Sequence, residues 1–71
     1  MKTRYRFIHF VEEGRQGVWA CRNNKSGDRI GVVLFYQPLK QWVWQQPVLW
    51  SRFDDDCLLD IAHFMNQLKK P

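Results

Sequence analysis

The sequence contains no apolar stretch that approaches the roughly 18 consecutive residues of a membrane-spanning helix. Residues 1–4 lead directly into a strand-like alternation, and no cleavage site of small residues accompanies them. They therefore lack the pattern of a secretory signal peptide. We expect a cytoplasmic protein with no membrane partner.

Metal-binding motifs are also lacking. The two cysteines, Cys21 and Cys57, lie far apart in the chain, and neither has a second cysteine or a histidine at the spacing of metal ligands. We predict two buried, reduced thiols, with a disulfide as the alternative. No metal and no cofactor are expected.

No combination of nucleophile, histidine and carboxylate resembles a catalytic triad. His9 lies among aromatic residues of a predicted strand, and His63 lies on the polar side of a predicted helix. The run Asp54, Asp55, Asp56 suits the positively polarised start of that helix, which explains these carboxylates as capping residues. No glycine-rich phosphate loop occurs. We therefore predict that the protein is not an enzyme and has no catalytic residues.

Aromatic and basic residues, by contrast, are abundant. The chain has 71 residues, enough for one domain (1–71), and 15% of them are aromatic, which excludes a disordered chain. The formal net charge is +4, and residues 1–31 carry seven basic against three acidic side chains. Such an excess permits anionic partners without requiring them.

Periodicity and turn residues predict the order of the secondary structure elements. Four strands are predicted, at residues 4–11, 18–22, 29–36 and 41–45. The polar segments 23–28 and 37–40 have the composition of turns. Asp54 is predicted to cap a helix with an apolar stripe of Cys57, Leu58, Ile61, Ala62, Phe64, Met65 and Leu68. The predicted fold is α+β: a four-stranded antiparallel β-meander with one C-terminal amphipathic helix packed on one face (ββββα).

Large apolar residues fall on both faces of the predicted sheet. In the first strand, Tyr5, Phe7, His9 and Val11 alternate with Arg6, Ile8 and Phe10. In the third strand, Ile30, Val32, Leu34 and Tyr36 alternate with Val33 and Phe35. One helix is about 10–12 Å wide and covers only one face of such a sheet. A homodimer, another protein partner, or curling of the sheet itself is expected to cover the second face.

A basic sheet that bears tryptophans also suggests nucleic-acid binding, because aromatic rings stack on bases and basic side chains follow phosphates. The candidate binding face consists of Arg4, Arg6, Trp19, Arg22, Arg29, Trp42 and Trp44. Against this alternative, the motif of an RNA-recognition sheet and a helix-turn-helix organisation are both absent.

Several segments together resemble a family of short uncharacterised bacterial proteins carried on prophages, plasmids and integron gene cassettes. The segments are 7–10, 19–23, 26–31, 38–41, and Phe53 with 57–61 and Phe64. The chain departs from the family pattern at Leu39, where an aromatic residue is usual, and at Asp54, where serine is usual. The resemblance implies an origin on a mobile element but no activity.

The predicted function is accordingly that of a mobile-element accessory protein, a non-enzymatic module that self-associates or binds another protein through the second sheet face. Nucleic-acid binding through the basic, Trp-bearing face is the alternative.

Overall fold

The computed structural model describes residues 1–14, 17–46 and 53–69. Its four strands form one antiparallel sheet in the order β1-β2-β3-β4, and one helix follows them. This architecture confirms the predicted α+β fold. The elements are β1 (Ile8–Glu12), β2 (Val18–Asn23), β3 (Arg29–Tyr36), β4 (Gln41–Gln45) and α1 (Asp55–Lys69). Within the described residues, no helix has both the length and the apolar character needed to cross a membrane.

The turn between β2 and β3 forms where its asparagine and glycine predict it. The side-chain oxygen of Asn23 accepts hydrogen bonds from the backbone N–H groups of Lys25 (2.8 Å) and Ser26 (3.1 Å). Gly27 adopts a φ of +77°, which glycine tolerates without steric cost. These local bonds reverse the chain and fix the register in which β2 and β3 pair.

The core lies between the helix and one face of the sheet. Its fully buried members from the sheet include Ile8, Phe10, Cys21 and Val33. Phe64 of α1 stacks on Phe10 with parallel rings whose centroids are 3.9 Å apart. We call the covered face of the sheet the helix side and the opposite face the open face.

The start of α1 agrees with the prediction, but its apolar stripe is narrower. Asp54 accepts a hydrogen bond from the Cys57 N–H at 2.8 Å and so caps the helix. Ile61 and Phe64 are buried, and Cys57, Met65 and Leu68 are half-buried. Leu58 and Ala62, predicted to belong to the stripe, are exposed, with Leu58 51% accessible. Leu58 directly follows Cys57, and Ala62 directly follows Ile61. Successive side chains on an α-helix point about 100° apart, so both residues lie outside the contact with the sheet.

The N-terminal segment does not extend β1, contrary to the prediction of a strand over 4–11. Instead Arg4 forms an isolated antiparallel bridge with His9, and the Tyr5 N–H donates to the Ile8 carbonyl at 2.8 Å. This tight reversal carries the Tyr5 side chain to the helix side, where it is only 8% exposed. The prediction that Tyr5 shares a face with His9 and Val11 is therefore wrong.

An irregularity in the pairing of β2 and β3 changes the position of Ile30. Cys21 pairs with Gly31 while Arg22 pairs with Arg29, so Ile30 is an extra residue in β3. Such bulges place two residues opposite one and disturb the alternation of side chains. Ile30 consequently packs against the core rather than beside Val32, where the alternation predicted it.

Candidate functional site: the open face of the sheet

An apolar cluster occupies the middle of the open face. In the observed register, Val18, Leu34 and Val43 lie directly opposite one another on three neighbouring strands. The adjacent row consists of Val11, Ala20 and Val32, which are also directly opposite one another. These six residues are the apolar cluster. Val18, Val32, Leu34 and Val43 are half-buried, Val11 is exposed, and Ala20 is fully buried.

An ionic cluster of Glu13, Arg22 and Arg29 lies on the same face. Arg22 and Arg29 are directly opposite each other on β2 and β3, an arrangement of like charges that destabilises a sheet. Glu13 offsets this repulsion, because its two carboxylate oxygens lie 2.9 Å from Arg22 Nη2 and 3.2 Å from Arg29 Nη2. Arg22 also donates from Nη1 to the Gly27 carbonyl at 2.9 Å. The cluster keeps a formal charge of +1.

The ionic cluster also shields part of the apolar cluster. The Glu13 backbone bonds to Val18 at one end of β2, whereas Arg22 lies near the other end. Their ion pair therefore runs along the open face past Ala20, whose exposed fraction is zero. Glu13 itself is aligned with the row Val18, Leu34 and Val43, at the β1 end of that row. Leu34 and Val43 lie on the strands farther from Glu13 and are consequently the members of the row best placed to contact another molecule.

The seven residues of the predicted nucleic-acid face do not share one face. Trp19, Trp42 and Trp44 lie on the helix side and pack against the core. The Trp19 ring is edge-on to Phe64, with centroids 5.2 Å apart. The three tryptophans lie on this side because their positions along the strands place them on the same face as Cys21 and Val33, the core residues of β2 and β3.

The predicted arginines are divided between the open face and the N-terminal segment. Arg22 and Arg29 lie on the open face, where both bind Glu13. Arg4 and Arg6 are exposed in the reversed N-terminal segment, and the Arg6 guanidinium lies 5.0 Å from the centre of the Phe7 ring. No described surface brings the arginines and the tryptophans together.

Glu13 is the member of the site that sequence reasoning missed, because a glutamate next to a glycine is typical of a polar loop. The sequence indicates such a carboxylate only indirectly, through the two arginines. Arg22 and Arg29 flank the β2–β3 turn. Two arginines opposite each other on paired strands repel, and a nearby carboxylate would offset this repulsion. The sequence alone does not show which of the neighbouring acidic residues supplies it.

The titratable groups near the core are held in their neutral forms. Burial raises the pKa of the Cys21 thiol to about 12. Burial, followed by the hydrogen bond to Asp54 and nearby carboxylates, raises the pKa of Cys57 to about 11. Both cysteines are free; Cys21 is buried as predicted, whereas Cys57, also predicted to be buried, is only half-buried. Burial, with a smaller contribution from Asp60, also raises the pKa of Tyr5, whose hydroxyl lies 2.8 Å from His63 Nδ1. None of these groups has the properties of an activated nucleophile.

The described part of the chain holds no group of three or more histidine, cysteine, aspartate or glutamate side chains that could bind a metal ion. Comparison with known proteins finds no matching family model, no similar curated protein and no similar solved structure. The geometry of the open face therefore carries the functional interpretation.

Proposed function

We propose that this protein is a non-enzymatic binding module that forms a homodimer through the apolar cluster of its open face. The observation that carries the proposal is the row Val18, Leu34 and Val43, aligned across three strands. Half-buried aliphatic side chains in such a row gain free energy when a second sheet covers them, at about 25 cal/mol per Å² of apolar surface. By its sequence resemblance, the module belongs to a mobile element and acts there as an accessory protein.

The size of the face predicts a weak dimer. Four strands spaced about 4.8 Å apart, each contributing about 20 Å of length, present roughly 400 Å² of sheet per copy. Stable dimers bury about 1,200–2,000 Å² in total, whereas two such faces together offer only about 800 Å², which is below this range. We therefore expect a dimer that dissociates on dilution.

The net charge of the protein predicts how the dimer responds to salt. Each copy carries a formal charge of +4, and the ionic cluster beside the apolar cluster is itself positive. Salt screens the repulsion between two such faces, so dimerisation strengthens as the salt concentration rises. Binding of nucleic acid shows the opposite dependence, since salt weakens contacts with phosphates.

The test is the solution mass of the protein across a range of protein and salt concentrations. The monomer mass is 8.6 kDa, and we expect the mass to approach twice this value at high protein concentration. Leu34→Lys places a charge at the centre of the row in both copies and should abolish the dimer. Leu59→Lys is the matched control, because Leu59 is 66% exposed on the helix and should tolerate the same change.

Circular dichroism of both variants establishes that their secondary structure is retained. A wild-type protein that stays monomeric at every concentration, or a Leu34→Lys variant that dimerises like the wild type, would refute self-association through this face. Single-stranded DNA provides the competing test. Binding that weakens steeply with salt would favour the alternative, although the three tryptophans pack on the helix side.

A further inference from the structure

A cleft lies between the β3–β4 hairpin and the C-terminal end of α1, on a different part of the surface from the apolar cluster. Its volume is about 430 Å³, within the range of roughly 300–1,000 Å³ that is usual for small-molecule sites. The lining residues are Phe35, Lys40, Gln41, Trp42, Leu68 and Lys69. The cleft thus combines two aromatic rings with two cationic side chains.

The aromatic part of the cleft is held by packing. Phe35 and Trp42 are directly opposite each other on β3 and β4, and their rings meet edge to face with centroids 5.7 Å apart. Trp42 and Leu68 are half-buried against the core, whereas Phe35 is 38% exposed. A planar apolar group therefore meets a surface that is already ordered before it binds.

Among the described residues, no carboxylate forms an ion pair with the cationic part of the cleft. The ion pairs among the described residues involve Arg22 and Arg29, not Lys40 or Lys69. The acidic residues of α1 begin at its opposite end, and a helix of 15 residues is about 22 Å long. Asp55 and Asp56 are therefore more than two Debye lengths away at physiological ionic strength, and Asp60, about 13 Å along the helix from Lys69, is more than one Debye length away, so salt screens all three from the cleft.

The backbone conformation of Lys40 provides a further, independent observation. Lys40 adopts a φ of 51°, in the left-handed region where glycine or asparagine is more favourable. A neutral residue suited to this turn would be less strained than lysine. Lys69 is accounted for by the negative end of the helix dipole, but no comparable feature accounts for Lys40. Strained residues are found preferentially at functional positions.

We propose that this cleft binds a small organic anion. Its flat apolar body lies against Phe35 and Trp42, and its anionic group lies between Lys40 and Lys69. This site does not depend on the proposed dimer, because it shares no residue with the apolar cluster. Aromatic and long-chain carboxylates or sulfonates have the required chemistry, since they pair a single negative group with an apolar surface.

The test uses 1-anilinonaphthalene-8-sulfonate as the probe, with N-phenyl-1-naphthylamine as its uncharged analogue. The dissociation constant is measured by fluorescence at low salt for the wild type and for a Lys40→Gln, Lys69→Gln double variant. We expect the double variant to bind the sulfonate roughly three- to tenfold more weakly. Arg4→Gln with Lys25→Gln is the matched control, which removes the same charge from exposed residues outside the cleft and should bind like the wild type.

Backbone and indole NMR shifts locate the probe on the wild-type protein. Shifts at Trp42 and Gln41 are expected, whereas shifts centred on Val18 and Leu34 would place the probe on the apolar cluster and overturn the proposal. Equal affinity for the sulfonate and its uncharged analogue, or unchanged affinity in the Lys40 and Lys69 double variant, would overturn it as well. Thermal unfolding of each variant establishes that it is folded, and Lys40→Gly replaces Lys40→Gln if the latter is not.

Discussion

Gly31 on β3 leaves the space that the Trp44 indole occupies on the helix side. A Cβ atom added to Gly31 would lie 2.9 Å from Trp44 Cζ3 and closer still to Cζ2 and Cη2. Real Cβ atoms do not approach ring carbons so closely, so Gly31→Ala must displace the indole. Trp44 also meets Phe53 edge to face at 5.8 Å, and moving the indole disturbs this contact with the segment that leads into α1.

The cost of Gly31→Ala follows from two opposing effects. Overpacking a filled core costs about 1–3 kcal/mol. Replacing glycine by alanine in an ordinary backbone conformation contributes about 0.4–1 kcal/mol of stabilisation through the unfolded chain. We therefore expect a net loss of about 1–2 kcal/mol in the free energy of unfolding. With a urea m-value of about 1 kcal/mol/M, the denaturation midpoint should fall by about 1–2 M.

A double-mutant cycle separates the clash from other effects of alanine. In a Trp44→Ala background the space above Gly31 is empty, so adding Gly31→Ala should cost nothing or stabilise slightly. Urea unfolding followed by circular dichroism gives the four free energies, which avoids relying on tryptophan fluorescence. If Gly31→Ala is equally destabilising with and without the indole, Trp44 is not packed over Gly31. The tryptophan would then be free to stack on other molecules, as the nucleic-acid alternative requires.

Three further predictions concern charge and thiol chemistry. Glu13→Gln leaves two arginines opposed on the sheet and should cost about 0.5–1 kcal/mol at low salt; an equal cost in concentrated salt would show that the effect is not electrostatic. Hydrogen bonding from the Cys57 backbone lowers the pKa of Asp54, so its stabilisation is complete above the ordinary value of 3.8 and is lost as the pH falls through the lowered value. Asp54→Asn should retain the cap but reduce the acid sensitivity of the melting temperature below the ordinary pKa of 3.8. In a Cys57→Ser background, which removes the half-buried second thiol, a disulfide-exchange reagent at about pH 8 should modify Cys21 only as fast as the chain unfolds, and rapid labelling of the folded variant would contradict the burial of Cys21.

Local sequence patterns were sufficient for the second half of the sheet. β3 and β4 have the bounds that their composition predicts, Arg29–Tyr36 and Gln41–Gln45. The Asp54 cap also forms as predicted. In these segments, turn chemistry and side-chain alternation indicate the same structure, and the exception is Ile30, which the bulge in β3 moves to the core.

The N-terminal segment was not predictable in the same way. Residues 4–11 alternate like a single strand, yet the chain reverses at Tyr5 because tertiary bonds stabilise the reversal. The Tyr5 carbonyl accepts a hydrogen bond from Asn24 at 2.8 Å, and its hydroxyl lies within hydrogen-bonding distance of His63. Both partners are distant in sequence, and a local pattern contains no information about such contacts.

The helix packs on the face of the sheet that carries most of the aromatic residues, and this leaves the apolar cluster uncovered by α1. The helix side carries the aromatic residues Phe10, Trp19, Phe35, Trp42 and Trp44, and the open face carries valines, Leu34 and, at the end of β3, Tyr36. An aromatic side chain buries about 150–250 Å², more than valine offers, so covering the aromatic face gives the larger gain in free energy. A short chain with one helix cannot cover both faces. The helix thus leaves the row Val18, Leu34 and Val43 uncovered, which is why we propose that a second copy of the sheet packs against it.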